Sequence, residues 1–350
     1  MSIESLFRRA SAYALAGQGF YEDKINVVVV GVGGAGCNAV NRMKKLGLST
    51  PTIAINTDMA HLMSIEADKK ILLKKGTRGL GAGGLVERGE SSAILARKEI
   101  AEFFKGVDVA FITTGLGGGT GTGATPVIAD IAREFGALVI TIATLPFKIE
   151  KARFSRAKDG LRRIVKSSNT VIVLENDKLM KIVPNLPLQK AFMVMDQLVS
   201  YTIISFIDVL TKPSLMNIDL SDLRRLMASG RFSTILIGEG DTYDPRKIVT
   251  DALNRPLIMD MDYSKAKGGL IHITTGEDVP ISKIHAAIDA ISSMLEDNSN
   301  IIIGARIDPE FGDRMRVLVV LTDIKIPLLE ERYEMGGEKL QKDLSLEKIR

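Results

Sequence analysis

Apolar runs recur along the first half of the chain at a spacing that suits alternating strands and helices. Residues 25–30 (Ile-Asn-Val-Val-Val-Val) and 107–114 (Val-Asp-Val-Ala-Phe-Ile-Thr-Thr) are β-branched and apolar without a polar alternate, which predicts strands buried on both faces. Similar runs at 52–58, 138–144 and 170–174 predict further strands, with helical spacing at about 90–105, after Pro126 and over 154–166. Strand and helix in strict alternation imply a parallel, doubly wound sheet, whose ligands lie at the carboxyl ends of the strands. Residues 188–210 are apolar almost all round. As a helix they would span about 35 Å and be buried between two layers. Strands at 233–238, 269–274, 300–307 and 316–322 then alternate with helical stretches near 245–255 and 280–295, and the last of these strands reads as central. The fold class is therefore α/β: a doubly wound parallel-sheet nucleotide-binding domain joined by a long central helix to a second, smaller α/β domain. The expected boundaries are an N-terminal extension at 1–24, the nucleotide domain at 25–187, the central helix at 188–211, the second domain at 212–325 and a charged tail at 326–350.

Composition narrows the function. A net charge of +4 on 350 residues gives no argument for nucleic acid. The single Cys37 excludes an intrachain disulfide and fits a reducing compartment, and with only three scattered histidines (His61, His272, His285) a zinc site has no ligand set. The N-terminus lacks the apolar core of a signal peptide, and no run of about 18 uncharged apolar residues predicts a membrane span. In the tail, eleven of 25 residues are charged and the end reads Leu344-Ser-Leu-Glu-Lys-Ile, which suits a mobile partner-binding segment.

Two glycine clusters carry the chemistry. Gly31-Val-Gly-Gly-Ala-Gly36-Cys-Asn38 follows the first strand and opens a helix, with Asp58 about twenty residues on. That is the dinucleotide-binding fingerprint, acidic residue included, and it makes an NAD-dependent oxidoreductase the rival reading. Gly115-Leu-Gly-Gly-Gly-Thr-Gly-Thr-Gly-Ala-Thr-Pro126 sits between a buried strand and a helix whose start is marked by Pro126. Free N–H groups at a helix N-terminus suit phosphate, and Thr120 and Thr122 add hydroxyl donors. A third glycine-rich stretch, 76–90, either closes over a nucleotide or connects two elements. Asp196, inside the apolar central helix, needs a partner; a purine N–H and a neighbouring arginine are both candidates. Asp219 and Asp222, three residues apart, share a face if helical, or else cap and solvate a helix start.

Taken together, Gly117-Gly-Gly-Thr-Gly-Thr-Gly123, the Gly31–Asn38 loop, Asn56-Thr-Asp58 and Asn217-Ile-Asp-Leu-Ser-Asp222 resemble the tubulin and FtsZ family of polymerising GTPases, over about residues 25 to 323. The motifs are closer to FtsZ than to eukaryotic tubulins and fit a prokaryotic member, archaea included. The resemblance implies GTP and GDP as ligands, Mg²⁺ arriving with the nucleotide, and no protein-held metal. It places Gly33, Gly34, Ala35, Gly36, Cys37 and Asn38, with Gly118, Gly119, Thr120, Gly121 and Thr122, around the phosphates. Glu150 and Arg153 match ribose- and phosphate-side residues; Phe192 stacks on guanine, Asp196 reads it and Asn176 assists. One departure stands beside Glu150: the family has a glycine next, where this chain has Lys151 and one residue fewer. Asn217, Asp219 and Asp222 match the loop that FtsZ inserts into the neighbouring subunit and would be the hydrolytic residues. The implied partners are further copies of the chain, head to tail, and a membrane-tethering division protein on the tail. The implied location is the cytoplasmic division ring at mid-cell. The oxidoreductase alternative explains the first loop and Asp58 but gives no role to the second glycine cluster or to the aspartates after the long helix. A nucleotide-binding regulator that neither hydrolyses nor polymerises is the third reading, against which Asn217, Asp219 and Asp222 argue.

Overall fold

The computed structural model describes residues 25–179, 183–212, 214–216, 218–228, 232–253, 265–296 and 299–324. The expected extension at 1–24, Asn217 and the tail at 326–350 lie outside these residues. The first sheet has six strands: β1 (Val27–Val32), β2 (Thr52–Asn56), β3 (Lys69–Leu72), β4 (Val109–Gly115), β5 (Leu138–Leu145) and β6 (Thr170–Glu175). Their order is β3-β2-β1-β4-β5-β6, and every pairing is parallel. Every residue of β1 is buried, and all of β4 except its last, as the uninterrupted apolar runs require for a sheet covered on both faces. The covering helices of this half are α1 (Gly33–Lys45), the short α2 (Met59–Met63), α3 (Val86–Leu95), α4 (Arg97–Ala101), α5 (Gly119–Glu134) and α6 (Lys151–Ser167).

Helix α5 departs from the sequence-based expectation. It begins at Gly119 rather than at Pro126, so most of the glycine cluster is helix and Pro126 lies in its second turn. The reason is close packing. A Cβ on Gly121 would fall on the Gly115 carbonyl, and one on Gly123 on the Val86 carbonyl of α3. Only Gly117, at φ +92°, is in the left-handed region that favours glycine. The glycines therefore seat a helix against a strand end and a neighbouring helix as well as exposing N–H groups.

The central helix α7 (Leu188–Thr211) has 24 residues, about 36 Å. Its Met195, Val199, Ile203, Phe206 and Ile207 pack in one core with Val29, Phe111 and Ile140 of the first sheet and with Ile237, Leu318 and Val320 of the second. Among the described residues, Gln189–Thr211 is long and apolar enough to cross a membrane; half of that stretch is buried between the two sheets, which accounts for its composition. After α7 come α8 (Leu220–Ala228), β7 (Ser233–Asp241), α9 (Pro245–Leu253), β8 (Gly268–Thr275), α10 (Ile281–Ser292), β9 (Asn300–Ile307) and β10 (Arg314–Thr322). The second sheet runs β7-β10-β8-β9. Strand β10 is central, as its apolar run predicts, and is antiparallel to β7 and β8, while β8 and β9 are parallel. The two sheets meet where Val171 bridges Phe232 and the hydroxyls of Thr170 and Ser233 lie 2.6 Å apart.

Candidate nucleotide site

Strands β1 and β4 are neighbours, yet the chain leaves them in opposite directions across the sheet, and a cleft of about 440 Å³ opens at their carboxyl ends. This is the topological switch point at which open α/β sheets bind ligands. Two helix N-termini meet there, α1 at Gly33 and α5 at Gly119, each bringing unpaired N–H groups and the positive end of its dipole. Neither helix has a side-chain cap, and no acidic residue sits in either first turn. An anion would thus meet donors on both sides, with no carboxylate in the first turn of either helix.

The expected residues divide sharply. Gly34, Ala35, Asn38, Gly118, Gly119, Thr120, Gly121, Glu150, Arg153, Asn176, Phe192 and Asp196 all line the cleft. On α1, Gly34, Ala35 and Asn38 are exposed, while Gly33, Gly36 and Cys37 are buried. Gly36 lets the helix approach β4, since a Cβ there would fall on the Thr113 carbonyl. The Cys37 thiol points into the core towards the Gly31 and Ile55 carbonyls, and burial pushes its pKa up to about 12. Thr122 turns its hydroxyl inward to accept from the Gly117 N–H at 2.9 Å, shaping the turn. Gly33, Gly36, Cys37 and Thr122 therefore support the loops without lining the cleft.

At one end of the cleft, Arg153 Nη1 holds Glu150 Oε2 at 2.5 Å, so the acidic residue and the arginine act as one unit despite Lys151 between them. At the other end, Phe192 of α7 is 38 % exposed, a free aromatic face beside Phe147, with ring centroids 5.8 Å apart. Asp196 lies one turn further along α7. Burial pushes its pKa up to about 6, opposed by the charge of Arg42. Both sequence-based candidates for its partner survive: Arg42 is near, and the carboxylate also faces the cleft.

Sequence reasoning missed several contributors. The Thr57 hydroxyl lies 2.6 Å from that of the expected Thr120, tying the second-strand motif to the second glycine turn. Thr113, Thr114, Thr144 and Pro146 complete the cleft wall at the ends of β4 and β5; their position after a parallel strand was the available signal. Asp58 does not face the cleft. Its Oδ1 accepts from the His61 N–H at 3.0 Å and caps α2, so the acidic residue of the dinucleotide fingerprint is committed to a helix start rather than to a ribose. The stretch 76–90 lies against the second turn: a Cβ on Gly119 would come within 2.7 Å of Ala82 Cβ and 3.0 Å of Leu85 N.

Asp219 and Asp222 are elsewhere. Asp219 precedes α8 and accepts from the Ser221 N–H at 3.0 Å, and Asp222, in the first turn, pairs with Arg225. Arg224 of the same helix donates to the carbonyls of Gly136 at 2.8 Å and Asp108 at 3.3 Å. Those carbonyls precede β5 and β4, so α8 is pinned to the amino ends of the strands whose carboxyl ends form the cleft. The seven residues of β4 alone separate the two by about 20 Å.

The sequence matches two family models: the GTPase domain of the Tubulin/FtsZ family over residues 26–184, and the C-terminal domain of the FtsZ family over residues 232–325. It is 44% identical over 307 residues to cell division protein FtsZ 2 of Methanocaldococcus jannaschii, covering 86% of this chain and 80% of that one. It is 43% identical over 329 residues to cell division protein FtsZ 1 of Thermococcus kodakarensis, covering 92% and 87%. Among solved structures, an empty FtsZ dimer of M. jannaschii superposes with a TM-score of 0.79 at 40% identity, over 92% of each chain.

Proposed function

The chain belongs to the tubulin/FtsZ family of GTPases, and from that premise we propose that it binds GTP in the cleft, assembles head to tail into filaments and hydrolyses GTP at the contacts between subunits during cell division. The single observation that carries this reading is the separation of the phosphate-binding turns from Asp219 and Asp222 at opposite ends of the same strands. One subunit has the nucleotide cradle at one end and the carboxylates at the other. In a head-to-tail stack, a contact that does not close on itself, the carboxylates of one copy meet the cleft of the next. There Asp222, together with Asp219 and with Asn217 of the same sequence motif, orients a water for attack on the γ-phosphorus. The bond to the bridging oxygen breaks, and GDP and phosphate leave.

A cleft of about 440 Å³ is within the range that holds a small ligand. N–H groups of α1 and α5 take the phosphates, Glu150 and Arg153 flank them and the ribose, Phe192 stacks on the base, and Asn176 assists. Ionised Asp196 accepts from guanine N1–H and the 2-amino group, a pair of donors that adenine lacks. Among the described residues no three His, Cys, Asp or Glu side chains converge. Mg²⁺ would be carried in by the phosphates and keep water as its other ligands. The domain boundaries follow the same reading: nucleotide domain at 25–187, central helix at 188–211, second domain at 212–325, and a tail that docks a membrane-tethering partner at a mid-cell ring in the cytoplasm. The oxidoreductase alternative has no support, because Asp58 is a helix cap and the family models assign the chain to GTPases.

The deciding experiment is GTP turnover per subunit across protein concentration. A shared site gives negligible turnover below a critical concentration and a linear rise above it. Turnover independent of concentration from dilute protein upward overturns the shared site.

A further inference from the structure

His61 lies outside the cleft, between Asn56 at the end of β2 and Asn38 on α1, and the hydrogen bonds around it fix a direction. Asn56 Oδ1 accepts from the Thr57 N–H at 2.8 Å. Its amide nitrogen is therefore the atom turned to His61 Nδ1, at 3.1 Å. A ring nitrogen that accepts carries no proton, so the proton sits on Nε2, which donates to Asn38 Oδ1 at 3.0 Å. With its oxygen held by that donor, the Asn38 amide cannot swap oxygen for nitrogen, and its N–H groups remain the donors it can offer elsewhere. The His61 backbone is fixed as well, because its N–H is the group that Asp58 caps. Asn38 lines both the cleft and the shallow depression shared with Arg42, Phe192 and Asp196, where the phosphate turn meets the base-reading residues.

We propose that His61 is a positioning residue for nucleotide binding: the Asn56–His61–Asn38 relay holds the Asn38 amide as a donor to an acceptor atom of the guanine nucleotide. The proposal rests on the guanine-nucleotide reading above. Without the relay the amide rotates freely and presents oxygen as readily as nitrogen, and an oxygen repels a phosphate or ribose acceptor.

Three measurements on the full-length protein test it. First, ¹⁵N resonances of the ring in the wild type, which has three histidines to assign, should show a protonated Nε2 and a bare Nδ1. Second, His61→Ala should weaken equilibrium GTP binding by about fivefold to tenfold, the scale of one lost hydrogen bond. His61→Gln, whose amide can accept from Asn56 and donate to Asn38, should stay within about twofold of wild type. Third, His61→Ala should cost nothing further in an Asn38→Ala background, because the relay then has nothing to position. A ring protonated on Nδ1, or a His61→Ala variant that binds GTP like wild type, overturns the relay. So does an equal loss in the Asn38→Ala background, which marks His61 as structural support only. If His61→Ala does not fold, the wild-type tautomer and the His61→Gln affinity decide. A wild type that binds no GTP is a different result: it overturns the guanine-nucleotide reading itself.

Discussion

The two ends of the first sheet are built from different materials. At the carboxyl ends of β1 and β4 the molecule offers backbone: two uncapped helix starts, glycines where a side chain would collide, and threonine hydroxyls. At the amino ends of β4 and β5 it offers side chains: Asp219 just before α8, and Asp222 and Arg225 on α8, which Arg224 clasps to the sheet. The first end offers donors to an anion, and in the proposed function its carboxylates serve the ribose side and the base rather than the attacking water. The second can orient a water but has no cradle. On the proposed reading each end is half a catalyst, and stacking one copy on the next would bring the two halves together.

The largest effect expected from breaking this pairing is at Asp222. Its replacement by alanine leaves the cradle untouched, so GTP binding and filament formation persist, while turnover falls by on the order of 10² to 10⁴, the scale of losing a group that positions the attacking water. Phosphate release measured beside pelleting separates the two properties. A variant that loses polymer and turnover together would show that α8 serves the contact rather than the chemistry.

The opposite end is broken at Gly121. A valine there would drive its Cβ into the Gly115 carbonyl and within 2.6 Å of Thr114 Oγ1. Overpacking of this kind costs about 1–3 kcal/mol, and relief requires α5 to move off β4, taking the N–H groups of Thr120 and Gly121 with it. GTP affinity should drop by about 10² while α8 keeps its clasp. Filter binding with a thermal melt checks both parts; near-normal affinity would show that the phosphate rests on the α1 turn alone.

The two ends were not equally legible in the sequence. Backbone chemistry leaves a dense signal, because a helix start that must expose N–H groups and pack closely needs glycine at several fixed positions; hence both turns, the parallel sheet and the central helix could be read directly. The glycines nevertheless look the same whether they serve phosphate or packing, which hides the close packing at Gly36 and Gly123 and the start of α5 at Gly119. Strand β3 escaped notice because Lys69 and Lys70 face solvent at the sheet edge, leaving Ile71 as its one buried residue. Asp58 matched a dinucleotide motif although its carboxylate caps α2. His61 was weighed only as a metal ligand, and its relay depends on Asn38 and Asn56, which the fold alone brings beside it. The antiparallel placement of β10 was also hidden, since a central strand is apolar on both faces whichever way it runs.

A smaller effect sharpens how the cradle chooses its base. In the proposed role Asp196 would have to be ionised to accept from guanine, and burial raises its pKa to about 6, above the ordinary carboxylate value. The folded protein therefore takes up this proton more readily than a free carboxylate does. GTP competes with the proton, so affinity is full above about pH 7 and falls as pH drops through 6. Binding isotherms across that range test the sign, and Asp196→Ala should lose the pH dependence. It should also lose about tenfold to a hundredfold in GTP affinity and narrow the gap to ATP.

The smallest effect probes the clasp between the two ends. Arg224 spends one nitrogen on the carbonyls of Gly136 and Asp108, tying α8 to the first sheet. Alanine at this position removes two charge-assisted hydrogen bonds to a partly exposed surface. Water can satisfy the freed carbonyls, so stability should fall by only about 1–2 kcal/mol. The cleft lies at the far end of the same strands, and GTP affinity should not change. What should change is the precision with which α8 presents Asp222 to the next subunit. Loss of positioning rather than of the group itself predicts a turnover drop of a few fold, with the critical concentration for assembly rising in step with the weakened α8 surface. Stopped-flow phosphate release on filaments held well above that concentration isolates the positioning effect from the assembly effect. If turnover per assembled subunit is unchanged there, α8 is held in place by its buried Leu223, Leu226 and Met227 alone, and the clasp is not part of what joins the two ends.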